Sequence, residues 1–288
     1  MKKLIQRLLM FIIGLPLIVC IVLFLPQYKH FALNILAVLF SALGAGELSV
    51  LLRHKNISIS KTEAVILGAL SPAATTLIIS FDFPPMTIPA FFTAGAAWLL
   101  LSIVFSGDTE FDSVTSRFAA GLAVLIYPGL FIDWIIRMSG WGRAEIILVF
   151  LCTVFANDSA AWAAGMLFGK KNRGIIPVSP NKSIAGFAGG TAASVLVCAG
   201  AALLWPDIFV LQRQFLFPPA VCAGLLGLLS SIAASLGDLG ESAIKRSSGI
   251  KDSGSLIPGR GGVLDSIDSI SLAAPVFYFM FSLFFLRA

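Results

Sequence analysis

A succession of apolar runs, each long enough to cross a bilayer, decides what this chain can become. The runs fall at about residues 8–25, 31–52, 62–80, 87–106, 118–136, 145–168, 186–205, 218–240 and 267–286. A helix of roughly 20 apolar residues spans the hydrocarbon of a membrane. In lipid every backbone N–H and C=O needs an internal partner, so runs of this length are helices. The expected fold is therefore all-α and polytopic, with about nine transmembrane helices. A mean hydropathy of +0.94 with only 12% charged residues agrees, because a soluble domain of this size would have to expose large apolar patches to carry it.

The first run, Leu8 to Leu25 behind Lys2, Lys3 and Arg7, has the layout of a signal peptide. It is of spanning length, and no small-x-small cleavage site precedes Pro26, so it is expected to remain as a transmembrane helix. Lys2, Lys3, Arg7, Arg53, Lys55, Lys61, Arg117, Lys170, Lys171, Arg173, Lys182, Lys245, Arg246, Lys251 and Arg260 fall on one side of the alternating spans, against Lys29, Arg137, Arg143, Arg213 and Arg287 on the other. The positive-inside rule makes the richer side cytoplasmic, which predicts an integral protein of the cell (inner) membrane with its two longest polar loops, 169–185 and 245–264, facing the cytoplasm. The net charge of +5 is explained by this topology, and no nucleic-acid motif is present. The four cysteines sit widely apart in apolar runs with no CxxC pair, which suggests neither a disulfide framework nor a thiolate metal site. With no linker, low-complexity tract or internal repeat, residues 1–288 read as a single integral membrane domain whose chemistry concentrates in 157–190 and 231–268.

Ionisable groups inside a bilayer are costly, so each needs a partner or a purpose. In "SSIAASLGDLGESAIKR", Ser231, Ser235, Asp238, Ser242 and Lys245 recur at helical steps of four and three and share one face. Such a stripe lines a wet cavity or meets another polar helix. Asp265 and Asp268 open the last run, where a helix N-terminus favours negative charge; a cap is the blander reading, and for Asp268 alone the better one. Asp238 and Asp265 flank a glycine-rich polar loop, and with only two histidines, His30 and His54, any metal must be held by oxygen, which points to Mg²⁺ or a similar hard cation. Asp158, Asp252 and Asp268 stand as alternative ligands.

The loop combines Lys245, Arg246, Lys251 and Arg260 with Gly254, Gly259, Gly261 and Gly262 around Pro258. Glycines let backbone N–H groups approach phosphate oxygens while the cations neutralise charge. A basic loop that only fixes topology or touches anionic lipid is the plainer alternative, but it gives no reason for the adjoining carboxylates. Neither a P-loop nor a dinucleotide motif occurs. A second cluster runs from Asn157, Asp158 and Ser159 through Lys170, Lys171 and Arg173 to Lys182 and Ser183, the last two as further phosphate-binding groups. Glu47, isolated in "GAGELSV", reads equally as a structural hydrogen-bond acceptor or a functional group.

Ser242 to Arg246, Lys251-Asp252, Gly254, Pro258-Gly259, Gly261-Gly262, Asp265 and Asp268 together resemble the C-terminal signature of the CDP-diacylglycerol synthases, or phosphatidate cytidylyltransferases. The likeness extends upstream to "DS" at Asp158-Ser159, "FGK" ending at Lys170, "SPNKS" at Ser179 to Ser183 and "GFAGG" at Gly186 to Gly190. Arg260 stands where that family's pattern has His and Ser266 where it has Arg. Ala160 and Trp162 replace its glycine and tyrosine, and Ala185 its glutamate.

The resemblance implies that CTP and phosphatidate give CDP-diacylglycerol and pyrophosphate for phospholipid synthesis, with Mg²⁺ and room for a second cation, in a homodimer. On that basis Asp238 and Asp265 are expected to hold the metal, and Lys245 and Arg246 to stabilise charge on the reacting phosphates. Lys251, Asp252, Arg260, Gly259, Gly261 and Gly262 are expected to hold the CTP polyphosphate, and Ser231, Ser235 and Ser242 to line the headgroup cavity. Two other readings remain open at this stage: a CTP-dependent transferase acting on another lipid phosphate, and a transporter with intramembrane carboxylates.

Overall fold

A computed structural model describes residues 13–57, 59–105, 114–212 and 217–285. Residues 8–12 of the first expected span, together with Lys2, Lys3, Arg7, Arg213 and Arg287, lie outside the described residues. The described residues form the helices α1 (Leu15–Phe24), α2 (Gln27–Arg53), α3 (Lys61–Phe81), α4 (Thr87–Val104), α5 (Val114–Val124), α6 (Asp133–Ser139), α7 (Ala144–Phe168), α8 (Ile184–Leu204), α9 (Pro219–Ser247) and α10 (Leu264–Phe284). A π-helical turn, Leu125–Leu130, carries Pro128 and links α5 to α6. Among the described residues eight helical segments are long and apolar enough to span a membrane: α2, α3, α4, Val114–Ser139, Ala144–Lys171, α8, α9 and α10. Helix α1, at ten residues, is the described part of the first run. All four cysteines are free thiols.

The chain divides into two compact units, residues 1–142 with 244–267, and 143–243 with 268–288. Helix α9 therefore leaves the second unit after Ala243, and α10 re-enters it at Asp268.

In the first unit, Tyr28, Lys29 and His30 have left-handed backbone, so the regular part of α2 begins at Phe31. Small residues and hydroxyls set the packing here, as expected where lipid removes the hydrophobic drive between helices. A Cβ on Gly68 of α3 would collide with Ala45 of α2, and Ser41 Oγ lies 2.7 Å from the Gly68 carbonyl and 2.6 Å from that of Pro128. Asn34 donates to Ser80 Oγ at 3.2 Å and accepts from Ser139 Oγ at 2.9 Å. The buried Asp133 carboxylate accepts from Ser71 Oγ at 2.9 Å and has the Arg137 guanidinium at 3.9 Å. Helix α3 starts on a Ser60 cap that accepts from the Glu63 amide at 3.0 Å.

In the second unit, Gly190 of α8 lies against the Asn157 carbonyl of α7, and Gly227 of α9 against the Ser194 backbone of α8. Phe150 packs on Phe277 at 5.3 Å between ring centres, and Phe209 on Phe281 at 5.5 Å.

Candidate active site

Nine of the residues singled out in the sequence fall in the first unit: Lys245, Arg246, Lys251, Asp252, Gly259, Arg260, Gly261, Gly262 and Asp265. Lys245 lies near the end of α9 and Asp265 in the first turn of α10, and their side chains meet, Nζ to Oδ1, at 2.5 Å. Both are nearly buried, with side-chain exposures of 12% and 7%, so losing either breaks a buried ion pair, a defect typically worth about 3–5 kcal/mol.

The other oxygen of Asp265 organises the loop. Oδ2 accepts from Ser253 N at 2.8 Å, Ser253 Oγ at 2.9 Å and Gly262 N at 2.7 Å. The loop narrows at Ile257, whose amide donates to the Gly261 carbonyl at 2.8 Å while the Gly261 amide donates back at 3.0 Å. Gly259 (φ +78°) and Gly261 (φ +113°) occupy left-handed backbone that the turn requires. Arg246, at the end of α9, and Lys251, Asp252 and Arg260 of the loop are exposed.

Sequence reasoning left Glu47 undecided. Oε1 of this α2 carboxylate accepts from Val263 N at 3.0 Å, and Oε2 from Leu264 N at 2.8 Å, with Ser253 Oγ at 3.0 Å. Gly254 and Gly262, expected to bring backbone close to phosphate, instead flank this group, and a Cβ on either would lie 2.8 or 2.7 Å from Glu47 Cδ.

The second unit holds Ser235, Asp238, Ser242, Lys182 and Ser183. Lys182 Nζ pairs with Asp238 Oδ2 and lies 5.6 Å from the centre of the Phe187 ring. The pair is a quarter to a third exposed, so its strength comes to about 0–1 kcal/mol, and both groups remain open to an incoming ligand. Ser242 Oγ is 3.5 Å from Asp238 Oδ1, and Ser235 is half-buried one turn below. Ser183 is buried and caps α8, accepting from the Gly186 amide at 3.0 Å. Ser231 is only 1% exposed; it donates to Asn157 Oδ1 at 2.6 Å and lies 3.0 Å from Thr191 Oγ1. It thus joins α9 to α7 and α8 rather than lining a cavity, because its step on the polar face coincides with the packing seam. Asp158 accepts from Asn157 at 3.2 Å and from Ser269 at 3.4 Å, and Asp268 from its neighbour Ser269 N at 2.6 Å.

Among the described residues no group of three or more His, Cys, Asp and Glu side chains is arranged to hold a metal. Each expected ligand, Asp238 and Asp265, is neutralised by a lysine ammonium. Their donor chemistry suits a hard cation, since all the atoms on offer are oxygens. Asp238, with Oδ1 engaged only by a distant hydroxyl, is the more available of the two.

Comparison with known proteins places these clusters in context. Residues 5–284 match the model of the cytidylyltransferase family. The chain belongs to the cytidylyltransferase family. Its relatives in that family include the phosphatidate cytidylyltransferase of Bacillus subtilis, 32% identical over 257 residues covering 86% of this chain and 88% of that protein. That of Thermotoga maritima is 32% identical over 224 residues, 76% of this chain and 77% of the relative. That of Synechocystis is 28% identical over 305 residues, 95% of each. The cytidylyltransferase match extends over both units, and with them over both lysine–carboxylate pairs.

Proposed function

We propose that this chain transfers the cytidylyl group of CTP to phosphatidate in an integral membrane setting, forming CDP-diacylglycerol and pyrophosphate. The observation that carries the reading is the Lys245–Asp265 pair at the neck of a glycine loop, in a chain whose family relatives are named for this reaction. A phosphatidate oxygen attacks the α-phosphorus of CTP, the bond from that phosphorus to the bridging oxygen breaks, and pyrophosphate leaves with the electron pair. A phosphate monoester loses its second proton with a pKa of about 6, so the nucleophile is already anionic near neutrality and needs no general base. The task left to the protein is to bring two polyanions together in line and to stabilise the charge that shifts towards pyrophosphate.

In this reading Lys245, held in place by Asp265, and Arg246 neutralise the reacting phosphates. Lys251, Arg260 and the loop amides take the polyphosphate, with Asp252 beside them. Lys182 is drawn from Asp238 towards a phosphate, and Ser235 and Ser242 border the headgroup. We take Mg²⁺ to be the metal, with Asp238 and Asp265 as its oxygen ligands; when bound it would draw charge from the phosphate oxygens. Asp265 has one oxygen to offer only when Lys245 turns away from it, since the other is held by three donors. A monovalent second cation, a homodimer, and a site on the cytoplasmic side of the inner membrane complete the reading, the last supported by the asymmetry of basic residues.

The test is product formation from labelled CTP and phosphatidate by purified protein in detergent, with and without Mg²⁺. Metal-dependent CDP-diacylglycerol is the expected result. Folded protein that makes none, while converting another lipid phosphate, would overturn the substrate assignment.

A further inference from the structure

Glu47 is a carboxylate inside a membrane-spanning helix, where charge is retained only with partners or a purpose. Its partners all belong to one distant segment. Val263 and Leu264 open α10, whose first amides have no acceptor within the helix and carry its partial positive charge. Glu47 accepts from both, at 3.0 and 2.8 Å, from more than 200 residues away in sequence. A helix cap would need no more than this.

The carboxylate does more, because Oε2 also lies 3.0 Å from the hydroxyl of Ser253, at the other end of the loop. That hydroxyl is 2.9 Å from Asp265 Oδ2 as well. With a single proton, it donates to one carboxylate at a time and ties the two together. Segment 254–261, which contains Pro258, Gly259 and Arg260, is thus closed at its neck by Glu47 and Asp265. Gly254 and Gly262 make room for this closure, since a Cβ on either would fall on the Glu47 carboxylate.

We propose that Glu47 is a positioning residue for nucleotide binding: it sets the shape of the 253–264 loop before CTP arrives, without touching substrate itself. This rests on the cytidylyl-transfer reading above. A loop already closed spares CTP the cost of ordering it, so losing Glu47 weakens CTP affinity and leaves phosphatidate affinity unchanged.

The experiment compares wild type with E47Q and E47A in detergent. Gln keeps one acceptor oxygen but turns an N–H₂ towards a backbone donor, so it is expected to fall between wild type and Ala. Expected are a rise of about tenfold or more in KM and Kd for CTP in E47A, a smaller rise in E47Q, and a KM for phosphatidate within about twofold of wild type. Faster amide exchange at Val263 and Leu264 should accompany them. G254A alone should damage CTP binding, whereas in G254A/E47A the added loss should be much smaller, because the clashing carboxylate is gone and only the 3.2 Å approach to Gly262 Cα remains. A merely stabilising Glu47 would lower the melting temperature and the active fraction while leaving KM for CTP unmoved, and that result overturns the proposal. Wild type that makes no CDP-diacylglycerol would sink the proposed function instead. The inference would then be decided by equilibrium CTP binding and amide exchange, and unchanged exchange at Val263 and Leu264 in E47A would overturn it under any substrate.

Discussion

Lys245 Nζ and Asp265 Oδ1 stand 2.5 Å apart, joining the end of α9 to the first turn of α10 across 20 residues of sequence. The pair has a structural face and a chemical one, and mutation separates them. D265N keeps the shape and one acceptor oxygen for the donors of Ser253 and Gly262, but it then turns its amide N–H₂ towards the ammonium. Activity is expected to fall by at least about 100-fold and stability by about 3 kcal/mol, read from turnover and from melting in detergent. The double variant K245A/D265N should lose less stability than the two single losses sum to, since the pair is then removed as a unit, while staying inactive. Additive stability losses would show that the two groups do not act as a pair.

Lys182 and Ser183 are neighbours with different expected phenotypes. Ser183 caps α8, so S183A should cost about 1 kcal/mol of stability and leave KM for CTP near wild type. Lys182 belongs to a partly exposed pair, so K182A should change stability by less than about 1 kcal/mol while lowering turnover at least tenfold. Melting curves and initial rates on the same preparations check both.

Magnesium removal is the third test. Chelation should abolish product formation and added Mg²⁺ restore it. D238N, having lost the more available carboxylate, should need about tenfold more Mg²⁺ for half-maximal rate. A D238N variant with an unchanged magnesium requirement would remove Asp238 from the metal site.

The helices were legible because a bilayer leaves an apolar run of 20 residues no other form, and the left-handed Tyr28 to His30 even bears out the expected start near residue 31. The polar face of α9 that carries Asp238, Ser242 and Lys245 was legible because those residues recur at helical spacing. Glu47 was not, because its partners are more than 200 residues away and no local pattern records them. Gly254 and Gly262 show the same blind spot. Sequence says that a side chain is absent and suggests phosphate, whereas what fills the space is another helix's carboxylate. Ser231 shares the periodicity of Ser235 and Ser242, and only packing reveals that its hydroxyl is turned to Asn157 and Thr191.

Gly190 tests whether such contacts between helices carry the fold of the second unit. A Cβ at this position would stand 2.8 Å from both the backbone carbonyl oxygen and Oδ1 of Asn157. The side chain has little freedom to move, since its oxygen accepts from Ser231 at 2.6 Å and its amide donates to Asp158 at 3.2 Å. The backbone oxygen belongs to α7 and yields only if the helices separate. G190A is therefore expected to destabilise by about 1–3 kcal/mol, as overpacking does in tight cores. S231A removes two interhelical hydrogen bonds, to Asn157 and with Thr191, and should cost about 1 kcal/mol. Melting of both variants in one detergent checks the order, and a G190A protein as stable as S231A would mean that α7 and α8 pack less closely than 2.8 Å requires.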